Sequence, residues 1–278
     1  MAKLITPEIF QKNTAEDYLK AAIDTAEWID TLAIKTEYGR IWQALPEGQD
    51  GYREDVPLFT PKSMYDGSAG IGIFFIRLYE ATGDTRWLTE AEEAAAHIIA
   101  TKVGVEWYQT TLHSEVKGII PVPGWAAGPY NGPVGEAYFL EDLYQVTGKQ
   151  EYRDYVLYVA DVLLEAAVTD ERGLHWSDQE DITADGGFIV FLDILYRKTG
   201  IKKYLELAKE GLTYAMNIAV GDETGRLIPY QDHPVTGPTY DKYYLSTCHG
   251  PVGSTLAFRE LYEITGEEIY RNWTIELS

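Results

Sequence analysis

GEAYFLEDLYQVTG, the stretch from Gly135 to Gly148, occurs in four versions along this 278-residue chain. The others are GIGIFFIRLYEATG from Gly70 to Gly83, GFIVFLDILYRKTG from Gly187 to Gly200 and GSTLAFRELYEITG from Gly253 to Gly266. Each carries Leu-Tyr five and four residues before its closing glycine: Leu78-Tyr79, Leu143-Tyr144, Leu195-Tyr196 and Leu261-Tyr262. Each ends in Thr-Gly, with an aromatic residue four positions beyond it: Trp87, Tyr152, Tyr204 and Tyr270. Self-similarity of this kind marks an array of one supersecondary unit, so the fold follows from the unit. Within it the apolar residues keep helical spacing, as in Ile71, Phe74, Phe75 and Leu78 or Ala137, Leu140, Leu143 and Tyr144. Thirteen residues span about three and a half turns. Thr-Gly then supplies the left-handed stop that a helix end favours.

A second, more polar amphipathic helix follows each stop, over 84–101, 149–167 and 201–219. The unit is therefore an αα-hairpin with a two-residue corner. The first helix of each pair is the more apolar and is expected on the inside, with the second behind it. A helix over 14–36 precedes the first copy as an outer helix without an inner partner of its own. Inner helices side by side with outer helices behind them close into an all-α, α/α toroid. One domain over 1–278 is expected, with a leading helix and connector in 1–60 and four units in 61–278. Three complete pairs and the beginning of a fourth fall short of the six or seven such rings usually need. Either a longer chain completes the ring or half-rings associate as a homo-oligomer, because an open array leaves apolar helix edges bare.

The connectors carry a phrase of their own: Gly39-Arg-Ile-Trp42, Gly104-Val-Glu-Trp107, Gly173-Leu-His-Trp176 and the weaker Gly225-Arg-Leu-Ile228. These read as short β-hairpins or turns gathered at one rim, where every inner helix begins. At that rim the chain repeats Gly-x-x-Gly, at Gly67 and Gly70, Gly132 and Gly135, and Gly250 and Gly253; the third unit departs with Ala184-Asp-Gly-Gly187. Such glycines either free helix-start N–H groups to face a cavity or let crowded backbones approach.

Composition excludes several function classes. Lys and Arg number 23 against 44 Asp and Glu, a net charge of −21 that repels phosphate backbones and anionic membrane surfaces. The first residues lack a basic segment followed by an apolar one, and no stretch approaches the roughly 18 apolar residues of a membrane span. The one cysteine excludes an internal disulfide. A cytoplasmic protein acting on a peptide or small-molecule substrate is expected, with neither nucleic acid nor membrane as partner.

Tyr65-Asp-Gly-Ser-Ala-Gly70 and Cys248-His-Gly-Pro-Val-Gly253, each leading into a helix that ends Leu-Tyr-x-x-Thr-Gly, resemble the lanthionine synthetase C-like family of peptide cyclases. The resemblance runs from about residue 60 to the end. It implies an α/α toroid around a zinc ion held by two cysteines and a histidine, with a substrate thiolate adding to a dehydrated Ser or Thr. Cys248, His249 and Gly250 match the Cys-His-Gly motif, so the resemblance makes Cys248 and His249 zinc ligands. The Trp-Cys-x-Gly motif has no counterpart, because the preceding unit reads Thr183-Ala-Asp-Gly-Gly187. Counted by units, the fourth copy matches instead the family's His-Gly-x-x-Gly, and His249 becomes the acid/base residue. Both registers stay open, and a catalytic zinc needs three protein ligands where at most two familiar ones stand.

The residues support a second reading. Toroids of paired helices also serve glycosidases and sugar epimerases, where carboxylate pairs do acid/base work and aromatic rings stack sugars. The run Trp176-Ser-Asp178-Gln-Glu180-Asp181, followed by Asp185, suits that chemistry, as do 21 tyrosines and seven tryptophans. The bland alternative is a solvated acidic loop. Asp66, Asn131, Asp185 and Trp176, at or beside the helix starts, are the candidate substrate-binding residues. Among histidines outside Cys248-His249, His97 lies on an outer helix, His113, His175 and His233 lie in connectors, and only His175 has a chemical neighbourhood. The Leu-Tyr tyrosines, present in every unit, read as structural. A non-catalytic helical scaffold is the third reading.

Overall fold

The computed structural model describes residues 14–42, 61–112, 123–177, 179–230 and 242–277. Asp178, His113 and His233 lie outside the described residues, as does most of the leading segment before residue 61. Helix α1 (Ala15–Asp30) opens the fold with a capping box between Thr14 and Asp17. Four hairpins follow: α2 (Ser68–Thr82) with α3 (Thr85–Ala100), α6 (Pro133–Thr147) with α7 (Gln150–Ala166), α8 (Asp185–Thr199) with α9 (Lys202–Ile218), and α10 (Pro251–Thr265) with α11 (Glu268–Glu276). Each inner helix packs on its own outer partner, and α2, α6, α8 and α10 pack on one another in that order. The arrangement is an arc of α/α toroid. Among the described residues no helix is long and apolar enough to cross a membrane.

The corners explain the repeated letters. Gly83, Gly148, Gly200 and Gly266 all sit at φ between 69° and 71°, the left-handed region where a side chain is strained. Each donates its N–H to the carbonyl of the repeat tyrosine at 2.7–2.8 Å. The threonine before it uses its hydroxyl twice. Thr82, Thr147, Thr199 and Thr265 donate to the carbonyls of Leu78, Leu143, Leu195 and Leu261 at 2.7–2.8 Å. The same oxygens accept the N–H of residues 84, 149, 201 and 267 at 3.1–3.3 Å, joining the end of one helix to the start of the next. The aromatic four residues on is buried in every unit and packs the pair together, as where Phe75 stacks on Trp87 at 5.6 Å. The repeat leucines are buried too, while the Leu-Tyr tyrosines are half-buried against the core.

Three connectors are antiparallel hairpins: β1 (Ile34–Lys35) with β2 (Arg40–Ile41), β3 (Val168–Asp170) with β4 (Gly173–His175), and β5 (Val220–Asp222) with β6 (Gly225–Leu227). The second connector differs from expectation. Gly104-Val-Glu-Trp107 opens a helix, α4 (Val105–Leu112), instead of a hairpin. Tyr108 and Leu112, one helical turn apart, are both buried there, and α4 packs on α7. A short helix α5 (Pro123–Ala127) completes this connector.

At the rim the Gly-x-x-Gly pattern answers to close packing. A Cβ on Gly70, Gly135, Gly187 or Gly253 would fall inside the carbonyl oxygen of Met64, Pro129, Ile182 or Thr247, respectively. The first glycines are crowded likewise, Gly132 by Ala126 and Gly250 by Tyr244. Each inner helix thus starts with its first turn pressed against the chain that enters it.

Candidate functional site

The repeat register brings four different polar residues to equivalent places at the openings of the inner helices: Asp66, Asn131, Thr183 and His249. The third and fourth openings are joined directly. His249 Nδ1 lies 3.2 Å from Asp181 Oδ2. A carboxylate oxygen accepts, so Nδ1 carries the proton and the tautomer is fixed. Asp181 also accepts from the Thr183 N–H at 2.7 Å, from the Thr183 hydroxyl and from Gln179 Nε2 at 2.6 Å. The Ser254 hydroxyl of α10 reaches the Glu180 carbonyl at 3.3 Å and ties the α8 entrance to the next unit.

Glu180 is buried beside Asp181, and its Oε2 has no hydrogen-bond partner among the described residues. Burial pushes its carboxyl well above the ordinary range, and the neighbouring Asp185 and Asp181 push it further. Burial and the two neighbouring carboxyls therefore favour the protonated form of Glu180. Adjacent residues thus differ in setting: Asp181 is an acceptor on which donors converge, while the Oε2 of Glu180 has none directed at it among the described residues.

Aromatic rings surround this group. Trp125 stacks on the His249 ring at 5.0 Å, and Tyr230 and Tyr244 meet it edge-on at 5.2 and 5.9 Å. The Tyr230 phenol is raised by burial, then by Asp181 and Tyr244. Burial raises Tyr130 as well, followed by Cys248 and Asp181, which places its hydroxyl end in their field. His249, with its side chain 25% exposed, is far more open to solvent than Asp181 at 2%.

The candidate residues read from the sequence fall in different settings. Asp66 and Asn131 are half-buried at neighbouring openings. Asp66 accepts from the Ser63 hydroxyl, and burial raises its carboxyl. Asp185 is 0% exposed, and its carboxylate accepts the backbone N–H groups of Trp176 and Ser177, both at 2.9 Å, and the Ser177 hydroxyl at 2.7 Å. It is fastened into the loop it supports. Trp176, also fully buried, donates its indole N–H to the Leu163 carbonyl at 2.7 Å and packs edge-on against Phe188. Both residues thus spend their polar atoms on the backbone and side chains of their own surroundings. His97 pairs with the Thr36 hydroxyl at 3.0 Å, and His175 is buried and stacks on Tyr214 at 4.5 Å, so neither joins the rim.

The zinc reading meets a poor donor set. Among the described residues no three His, Cys, Asp or Glu side chains come together to hold a metal ion. Cys248 is exposed, while the neighbouring His249 turns its Nδ1 to Asp181. Among the described residues they do not make up the three-ligand set that a catalytic zinc needs. Spacing does not single out Trp125, which approaches His249 from an earlier connector, or Tyr230 and Tyr244, which lie on its own connector but outside any repeated phrase. Glu180 and Asp181 carried a fainter signal, two acids just before the third opening.

No family profile matches the chain, and no curated protein sequence matches it. Solved structures do. An alpha-1,6-mannanase of Salegentibacter sp., in an inactive form with two adjacent aspartates replaced and alpha-1,6-mannotetrose bound, is 14% identical with a TM-score of 0.57, covering 94% of this chain and 68% of its own. The Lin0763 protein of Listeria innocua is 16% identical with a TM-score of 0.58, covering 94% and 69%. A family 76 glycoside hydrolase from a bovine Bacteroides thetaiotaomicron strain is 15% identical with a TM-score of 0.51, covering 95% and 54%. These likenesses establish the toroid. They also correct the lanthionine synthetase C-like resemblance: the neighbours in structure are family 76 glycoside hydrolases, and the Gly-x-x-Gly and Thr-Gly phrases behind that resemblance serve helix packing and helix corners here.

Proposed function

We propose that this chain is a carbohydrate-active toroid, a glycoside hydrolase whose acidic pair is Glu180 and Asp181. The observation that carries the reading is that pair, buried at the third helix opening, with Asp181 joined to His249 and Trp125, Tyr230 and Tyr244 packed on the His249 ring. Glycosidic cleavage needs one carboxyl that arrives protonated and one that does not. Glu180, whose protonated form burial favours, donates its proton to the departing glycosidic oxygen. Asp181, with its orientation fixed by Thr183, Gln179 and His249, is the second carboxylate, facing the oxocarbenium-like carbon or the water that attacks it. The inactive mannanase of like fold, with two adjacent aspartates replaced, supports giving the work to an adjacent pair and makes α-mannosides the first substrates to test.

Purified protein is incubated with alpha-1,6-linked manno-oligosaccharides and a panel of other neutral glycans, and new reducing ends are measured. The wild type is expected to release them, and Glu180→Gln and Asp181→Asn each to lower kcat by roughly 10²–10⁴-fold, the usual contribution of a positioned acid or base. A folded wild type that leaves the whole panel intact would sink the proposal.

A further inference from the structure

Away from the acidic pair, at the openings of α2 and α6, two tyrosines stand where the other units have none. The repeat register aligns Tyr65-Asp66-Gly67 with Tyr130-Asn131-Gly132, while the third and fourth units carry Ile182-Thr183 and Cys248-His249 there. Tyr65 is 77% exposed and Tyr130 37%. A lone exposed ring would call for no explanation. This pair is fixed, however. The Tyr65 N–H donates to the Tyr130 carbonyl at 2.9 Å, locking one opening to the next. The rings sit edge to face, centroids 6.3 Å apart and planes at 88°. Such a pair offers one ring face and one ring edge without losing side-chain freedom on binding.

Resting on the glycosidase reading above, we propose that Tyr65 and Tyr130 form a separate sugar subsite: one pyranose ring stacks its C–H face on this platform, and Asp66 and Asn131 take its hydroxyls. Three observations converge on a saccharide. Aromatic faces paired with half-buried carboxyl and amide groups suit a ligand with apolar faces and a hydroxylated edge, and each opening supplies both kinds in consecutive residues. Tyr130 links the platform to the acidic centre, since Asp181 and Cys248 act on its phenol while its carbonyl holds Tyr65. Tyr65, Tyr130, Asp181 and His249 therefore belong to the successive openings of α2, α6, α8 and α10. Finally, the net charge of −21 disfavours uronate or sulfated chains. The ligand is a neutral oligosaccharide long enough to lie on the platform and the acidic pair together.

The test is calorimetric titration of alpha-1,6-mannotetrose and of D-mannose into Glu180→Gln protein, which binds without turnover, and into the same protein with Tyr65→Ala or Tyr65→Phe added. Circular dichroism confirms that each variant is folded. Tyr65→Ala is expected to raise the tetrasaccharide Kd about tenfold, equivalent to about 1.4 kcal/mol, while Tyr65→Phe, which keeps the ring, stays near the parent. Equal tetrasaccharide affinity in the parent and Tyr65→Ala proteins overturns the platform and leaves the glycosidase reading standing. A loss in Tyr65→Phe as large as in Tyr65→Ala overturns stacking as its basis. Folded protein that gives no heat with either sugar, from a wild type that cleaves no glycan, removes the glycosidase reading and the platform with it.

Discussion

The four Thr-Gly corners and the four rim openings lie at opposite ends of the same helices, and they differ in how much they vary. At the corners every unit repeats the same letters, the same left-handed glycine and the same doubly used threonine hydroxyl. At the openings only the tightness is shared. The equivalent positions carry Asp66, Asn131, Thr183 and His249 in turn, half-buried except for the buried Thr183, and the residue before each is Tyr, Tyr, Ile or Cys. A corner has one physical task, to stop one helix and start the next, and one solution serves all four. An opening must pack its glycines and may then present any side chain to the centre of the ring. Chemistry accumulates where packing leaves a choice.

The comparison can be broken most severely at the openings. Gly135→Ala drives a methyl into the Pro129 carbonyl and toward Met64, backbone that does not yield easily. A loss of about 3 kcal/mol is expected in chemical denaturation, at the upper end for overpacking. A loss below 1 kcal/mol would show that the opening is looser than its geometry.

The middle of the inner helices gives the next test. At the sixth position after each repeat glycine stand Ile76, Glu141, Asp193 and Arg259. Glu141 is buried but paired with Arg153 at 2.8 Å and Lys198 at 3.0 Å. Asp193 is 0% exposed, and neither oxygen has a hydrogen-bond partner among the described residues. Burial pushes its carboxyl from 3.8 to about 8, with Glu260 adding to the rise and Arg197 opposing it. Between those pH values the unfolded chain ionises this group and the folded chain does not. Its effect on stability is therefore most favourable below about pH 4, declines as pH rises and levels off above about 8. Asp193→Asn is expected to flatten that decline and to gain about 2 kcal/mol at pH 8, where an unpaired buried charge is removed. Parallel pH–stability curves for variant and wild type would refute this.

The smallest effect belongs to the corners. Gly148→Ala meets nothing within 4 Å, so its only penalty is the backbone at φ +69°. About 1 kcal/mol is expected by thermal melting, the usual difference for a left-handed position. The same value at Gly83, Gly200 and Gly266 would confirm that the four corners are energetically alike.

The hairpins, the inner and outer assignment and the three β connectors were legible because helical spacing and Thr-Gly are local signals. Gly104-Val-Glu-Trp107 misled because the same letters open a hairpin elsewhere, and what decides is whether Tyr108 and Leu112 find a core one turn apart. The site was harder to read. Asp185 and Trp176 look chemical as letters, yet burial shows that the loop consumes them. Cys248-His249 matched a zinc motif in letters, while its geometry depends on Asp181, 68 positions away. Long-range approach and desolvation are properties of the assembled ring, and a linear reading does not contain them.

The threonine that donates to the leucine carbonyl behind it and accepts the N–H ahead of it has a consequence for how the chain is made. Every bond that closes a corner joins residues at most five positions apart. Each hairpin can therefore form on leaving the ribosome, before the unit that will shelter its inner face has been synthesised. What the corners leave for later are the contacts between units: α2, α6, α8 and α10 must still pack on one another, and His249 must still find Asp181 in the preceding unit.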